Sequence, residues 1–307
     1  MATYYVGVDV GGTTIKMGMF SDVGELLEKW EIPTEAEQNG ERVIGAIADS
    51  IEGKRAARGG NIRGIGIGIP GPVTDDGVVH KCANLNWGVF PVKDTLVHLT
   101  GIGNVKVGND ANVAALGEMW KGGGRGYDSI VMVTLGTGVG GGIIQKGKML
   151  TGGHGAAGEI GHIKVNTEET EQCGCGNYGC LEQYVSATGL VRLAKAEIAA
   201  DSCLARLNDI TAKEIFDGAK SGDAFCMDKV EQFGRYLGLA LSNIAHIADP
   251  EAFVIGGGVS AAGSIILDVV RKYYKEYSMY AIRDTEFRLA ELGNEAGIYG
   301  AVRMVLF

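Results

Sequence analysis

Between Gly155 and Glu182 the chain carries one histidine, His162, and three cysteines, Cys173, Cys175 and Cys180, flanked by the glutamates Glu159 and Glu182. One imidazole and three thiolates form the four-donor set of a closed tetrahedral zinc site. Ten residues separate His162 from Cys173, one separates Cys173 from Cys175, and four separate Cys175 from Cys180. The glutamates are not needed to complete the set. A lone glutamate is usually a solvated surface acid. Placed beside metal ligands, these two read as carboxylates held on a knot that positions something polar.

Two aspartates stand elsewhere. Asp9 sits in the apolar run Tyr4 to Val10, just before Gly11-Gly12. A carboxylate is costly there without a partner such as a hydrated Mg²⁺. Asp110 follows Asn109 at the end of a short apolar run and precedes a helical stretch. It reads either as a helix N-cap or as a general base for a hydroxyl substrate.

Glycine loops supply a third ingredient. Val8 to Gly18 (VDVGGTTIKMG) and Val133 to Ile143 (VTLGTGVGGGI) both read strand, glycine turn, strand, and suggest two similar halves. Gly136, Gly138 and Gly141 match the dinucleotide spacing GxGxxG, but GIIQKGKM comes after them, and that fingerprint requires a helix. The Rossmann reading is rejected. No GxxxxGK[ST] occurs either. What remains is a pair of hairpins whose backbone N–H groups, with the hydroxyls of Thr13, Thr14 and Thr137, can donate to phosphate oxygens. A third glycine run, Gly256-Gly257-Gly258, comes after another apolar strand.

These residues need a scaffold. The chain has 307 residues, of which 46% are apolar, and that suits two domains. Its net charge of −9 argues against a nucleic-acid surface. No apolar run reaches the length of a membrane span. The start lacks the basic and apolar regions of a signal peptide. The remaining cysteines, Cys82, Cys203 and Cys226, are scattered and read as buried free thiols. The expectation is a cytoplasmic protein.

Alternation and apolar periodicity place strands at 4–10, 13–20, 26–32, 62–69, 105–107, 129–135, 143–145, 252–255 and 287–290. Helices are expected at 41–58, 91–99 (begun by Pro91), 111–120, 186–200, 212–221, 224–248, 263–277 and 296–307. Gly122-Gly123-Gly124 reads as a hinge. This is an α/β chain.

In order along the chain, DVGGTTIKMG, NDANVAALGE, LGTGVGGG, GEIGHIKV, CGCGNYGCLE and VIGGGVS resemble the ROK family of bacterial sugar kinases and repressors, above all its glucokinases. The resemblance implies an actin-like ATPase (ribonuclease H-like) fold, two α/β domains around a sugar and ATP cleft. The smaller domain would hold 1–118 and the returning helix at about 292–307, the larger 119–291. Asp110 would be the base for the sugar 6-hydroxyl. Asn109, Asp110, Glu159, His162 and Glu182 would bind sugar, with Asn84 and Gly71 as weaker contacts. Asp9, Gly11, Gly12, Thr13, Thr14, Lys16, Gly136, Thr137 and Gly138 would hold the phosphates of ATP with Mg²⁺. Gly256, Gly257, Gly258 and Val259 would lie against adenosine. Zinc on His162, Cys173, Cys175 and Cys180 would be structural, leaving one imidazole nitrogen for a sugar hydroxyl. The two glutamates suit adjacent diol hydroxyls. The family also implies a homo-oligomer, dimer or tetramer.

Alternatives are a kinase for another hexose or an N-acetylhexosamine, a sugar-binding protein without catalysis, and a sugar-responsive repressor. The last is disfavoured because no helix-turn-helix precedes the first hairpin. Sugar preference is expected from the loops around 71–88 and 151–158.

Overall fold

The structure, a computed structural model, describes residues 2–35, 41–80, 82, 85 and 87–306. The chain falls into two compact units, one of 1–126, 142–158 and 292–307, the other of 127–141 and 159–291.

The first unit opens as the expected meander: β1 (Thr3–Val10), β2 (Thr14–Ser21) and β3 (Leu26–Pro33). Helix α1 (Glu41–Arg58) forms because Val43, Ile44, Ile47 and Ile51 recur on one face, and all four are buried in the core. Next come β4 (Asn61–Ile69), the short pair β5 (Val78–Val79) and β6 (Phe90–Pro91), and α2 (Val92–Thr100). Pro91 lies at the N-cap of α2 and not, as expected, inside its first turn. Then β7 (Val105–Asn109) leads into α3 (Asp110–Lys121). The sheet order is β3-β2-β1-β4-β7, antiparallel through the meander and parallel from β1 to β7.

The second unit starts with β8 (Ile130–Leu135), which turns into β9 (Val139–Gln145). The expectation began that returning strand at Ile143. The glycines 140–142 are in fact strand, because the tight turn ends at Gly138. The later part of β9 and β10 (Lys148–Met149) count with the first unit. Then come α4 (Glu182–Val185), α5 (Ala187–Ala196), α6 (Ala212–Lys220), α7 (Ala224–Ala248), β11 (Ala252–Gly256), α8 (Ser264–Tyr277) and β12 (Glu286–Leu289). Helix α5 is shorter than expected: Ser186 caps it, accepting from Gly189 N–H at 2.9 Å, and Glu197 ends it. Strands β8, β11 and β12 run parallel, and the order is β10-β9-β8-β11-β12. This is the order of the first sheet, strand for strand, so the faint repeat in the glycine hairpins is a repeat of topology. Helix α9 (Ala296–Leu306) counts with the first unit.

The first unit reaches past residue 118, where the sequence suggested a boundary. Helix α3 runs on to Lys121, and buried Glu118 ties down the glycine segment beyond it. Its Oε2 accepts from Gly123 N–H and its Oε1 from Leu292 N–H, both at 2.8 Å. Its main-chain carbonyl accepts from Gly122 and Gly124 N–H, each at 3.0 Å, so Glu118 fixes residues 122–124 and its carboxylate also holds the start of the returning chain. No helix among the described residues is long and apolar enough to cross a membrane.

Candidate active site

Asp110 is the first residue of α3, and Asn109 takes the cap that one reading gave to Asp110. Asn109 Oδ1 accepts from the N–H groups of Ala111 and Asn112, each at 3.1 Å. Its Nδ2 donates to Gly71 O at 3.1 Å. The cap leaves the Asp110 carboxylate outside the cap role, and Ala111 N–H engages its Oδ1 at 2.8 Å. Burial raises the Asp110 pKa, while hydrogen bonds from Ala111 and Asn109 hold it back. A buried carboxylate with a raised pKa has the chemistry of a proton acceptor, and its place at the N-terminal end of α3 favours the charged form against that burial.

Asp9 lies in the same unit and pairs in register with Lys16 across β1 and β2. Its pKa is pushed up to about 6 by burial, against the pull of Lys16 and with a smaller push from Asp110. The first turn of α9 approaches it closely: a Cβ on Gly297 would stand 2.4 Å from Asp9 Cγ. Only glycine fits there. The turn beside Asp9 is tightened by Gly11 N–H to Thr14 O (3.1 Å) and moored by Thr34, whose N–H donates to Thr13 O (2.9 Å) and whose hydroxyl donates to Gly11 O (2.8 Å). Gly12 and Thr13 are exposed at its tip.

The two loops expected to set sugar preference meet within the first unit. Thr151 Oγ1 donates to Asp75 at 2.8 Å, and Gly155 packs against Val73. Buried Asn112 donates to Ala157 O at 3.4 Å. With the Asn109–Gly71 bond, these contacts join both loops to the start of α3. Asn84 lies outside the described residues.

In the second unit His162, Cys173, Cys175 and Cys180 converge, with all four donor atoms within 4.8 Å of one another. His162 Nδ1 is 3.8 Å from Cys173 Sγ, and Cys175 Sγ is 3.6 Å from Cys180 Sγ. Sulfurs on a tetrahedral zinc lie about 3.8 Å apart, so the donor set fits that ion. Burial pushes the Cys180 thiol up to about 12 and raises that of Cys173. Hydrogen bonds led by Asn177 N–H lower Cys175. The nitrogen turned toward the cysteines is Nδ1, which leaves Nε2 to other partners.

Glu159 is exposed and precedes the 3₁₀ turn Ile160–His162. Glu182 is more committed than the sequence suggested. Its Oε2 accepts from Val139 N–H at 2.9 Å, its Oε1 lies 3.9 Å from Cys173 Sγ, and a Cβ on Gly138 would come within 2.3 Å of Oε2. Glu182 therefore couples the cysteine knot to the second glycine hairpin.

That hairpin is also seated on α5. Ala187 N–H donates to Gly136 O at 2.8 Å and Thr188 Oγ1 to Thr137 O at 2.6 Å. Gly136 and Thr137 then line a cavity of about 420 Å³ with Gly258 and Val259, two separate sequence runs brought to one place. Gly256 lies within β11, and Gly257 makes the left-handed turn (φ 84°) after it. The opposite wall is α6, through Thr211, Ala212, Lys213, Phe216 and Asp217. Sequence reasoning missed this wall. Its available signal was a capping box at Thr211 and Glu214 on an amphipathic helix. Glu118, Asn112 and Thr188 were missed as well, since nothing in their local pattern sets them apart.

A protein of two topologically matching α/β halves, each turning a glycine hairpin at the head of its sheet, belongs to the actin-like ATPase class. The ROK family model matches residues 5–306, and the chain belongs to the ROK family. It is 44% identical to a glucokinase of Halalkalibacterium halodurans over 97% of this chain and 93% of that one. Among solved structures it resembles a ROK family glucokinase from Streptomyces griseus in complex with glucose and AMPPNP (TM-score 0.75, 35% identity, 98% and 99% of the two chains). It also resembles a ROK hexokinase from Thermus thermophilus (TM-score 0.81, 33% identity, 98% and 97%).

Proposed function

We propose that this protein is a glucokinase, transferring the γ-phosphoryl group of ATP to the 6-hydroxyl of glucose. The observation that carries the reading is the 44% identity to a glucokinase across nearly the whole chain. The Asp110 geometry gives that identity a mechanism.

Asp110 accepts the proton of the sugar hydroxyl as its oxygen attacks phosphorus. Burial and the neighbouring N–H groups hold the carboxylate in place, so positioning supplies most of the rate. Asn109 acts mainly by position, since its oxygen caps α3 and one of its amide hydrogens binds Gly71 O. Glu159, His162 and Glu182 take the other sugar hydroxyls, with His162 using Nε2. Asp9 and Lys16 fit a hydrated Mg²⁺ and phosphate oxygens: a half-buried acid with a raised pKa gains from a cation. The ion would neutralise charge on the phosphates. Backbone N–H groups of both hairpins would donate to the same phosphates, and the cavity at Gly258 and Val259 takes adenosine. His162, Cys173, Cys175 and Cys180 would hold zinc as a structural ion, since four protein donors complete a tetrahedral set.

The test is a coupled assay with a panel of hexoses and N-acetylhexosamines, each offered with ATP or polyphosphate. Glucose with ATP is expected to give the highest kcat/KM. A tenfold preference for another sugar would replace glucose in this account.

A further inference from the structure

The scattered cysteines are not all solitary. Cys203 and Cys226, 23 positions apart, bring their Sγ atoms within 3.9 Å. Cys203 is exposed at the start of the 3₁₀ turn Cys203–Arg206, and Cys226 is fully buried in the first turn of α7. One carboxylate aligns them. Asp223 Oδ2 accepts from Cys203 N–H at 2.6 Å, and its Oδ1 from Cys226 N–H at 2.9 Å. Ser202 Oγ adds a third bond at 3.1 Å. Both Asp223 oxygens are thus spent on the backbone and Ser202, which leaves a pair of sulfurs and not a set of metal ligands.

This pair lies beneath the wall of the cavity. Gly218 of α6 faces both sulfurs: a Cβ there would stand 2.5 Å from Cys226 Sγ and 2.9 Å from Cys203 Sγ. Phe216 and Asp217, immediately before Gly218, line the cavity with Lys213. Phe216 also packs edge-on against Phe233 of α7, with ring centroids 5.5 Å apart. Anything that moves the sulfurs moves the seat of α6.

We propose that Cys203 and Cys226 are a thiol modification site, closing reversibly to a disulfide that weakens ATP binding through α6. The coupling rests on the reading of the cavity as the nucleotide site; the disulfide itself does not. The oxidant is hydrogen peroxide. The Cys203 thiolate attacks a peroxide oxygen, breaking the O–O bond and giving a sulfenic acid, and the released hydroxide leaves as water. The Cys226 sulfur then attacks the sulfenic sulfur, its proton leaving with the expelled hydroxide as a second water. Two thiols are oxidised to one disulfide and one peroxide is reduced to two waters. Closure shortens the S–S distance from 3.9 Å to about 2.05 Å, and α6 resettles. Exposed Cys203 gives an external dithiol access for the reverse exchange.

The test treats the full-length protein with hydrogen peroxide, blocks free thiols and maps peptides by mass spectrometry. The expected result is a linked Cys203–Cys226 peptide, about 2 Da lighter than its two thiol halves and lost on adding dithiothreitol. In the same sample KM for ATP rises about fivefold, while KM for glucose and kcat at saturating ATP hold. Cys203→Ser keeps basal activity and loses both the link and the KM response, which separates this pair from oxidation of the His162 knot. Single oxidation of Cys203 without a link would overturn the site. So would a bound metal that Cys203→Ser releases. A link that leaves KM for ATP unchanged would overturn the coupling to α6. The linked peptide is read without turnover, so failure of the glucokinase reading would not be mistaken for failure of this one.

Discussion

In the first unit, the turn between β1 and β2 stands among ionisable groups: Asp9 against Lys16, with Asp110 near enough to raise the Asp9 pKa. In the second, the turn between β8 and β9 stands on neutral hydrogen bonds that its carbonyls accept from Ala187 N–H and the Thr188 hydroxyl, with Glu182 behind it and the cysteine knot behind Glu182. The two sheets have the same strand order, so the difference does not come from the fold. It comes from what each half loads onto a common frame. The first half carries acids that burial makes reluctant to ionise, the condition of a proton acceptor. The second carries rigid, pre-tied groups, the condition of a recognition surface. On this account chemistry belongs to the first half, and adenosine and much of the sugar recognition to the second.

The comparison can be broken from either side. The largest effect is expected at Asp110. Asp110→Asn keeps the fold, since Asn109 supplies the cap, and lowers kcat by roughly 10³. Steady-state rates near wild type would remove the base from the first half. Next, Cys175→Ser releases zinc and raises KM for glucose more than about tenfold. Metal analysis together with the glucose titration of rate checks both, and an active protein without zinc would dissolve the knot.

Stability effects come third. Glu118→Ala strands the N–H groups of Gly123 and Leu292, at a cost of about 3 kcal/mol, read from denaturant unfolding. Asp9→Asn runs the other way. The folded Asp9 pKa lies near 6 and the ordinary value is 3.8. The folded state therefore binds the extra proton between those limits, and ligand-free wild type loses stability as pH rises through about 4 to 6. Removing the charge stabilises the ligand-free protein at pH 7 by about 3 kcal/mol, with no gain below pH 4, while activity falls. Unchanged pH dependence of unfolding in Asp9→Asn would show that Asp9 is not the group under strain.

Much of this contrast was legible in the sequence. Apolar alternation marked nearly every strand of both sheets, and the His162 to Cys180 spacing marked the knot before any geometry was known. Long-range commitments were not legible. That Glu182 bonds Val139, or that Glu118 reaches Leu292, depends on elements far apart in the chain, and a lone glutamate in a helix has no pattern to announce it. The α6 wall was hidden for the same reason: its cavity face is an ordinary helix face until β11 and the second hairpin are brought against it. Asp110 was read both as cap and as base. The ambiguity was local, because Asn109 and Asp110 are both good caps, and only the backbone at the helix start separates them.

The division of labour is tested most directly by calorimetric titration of glucose into Asp110→Asn and Cys175→Ser side by side. The account predicts that Asp110→Asn binds glucose within about threefold of wild type, and that Cys175→Ser shows no saturable binding over the same range. Loss of glucose binding in Asp110→Asn, with binding kept in Cys175→Ser, would contradict it.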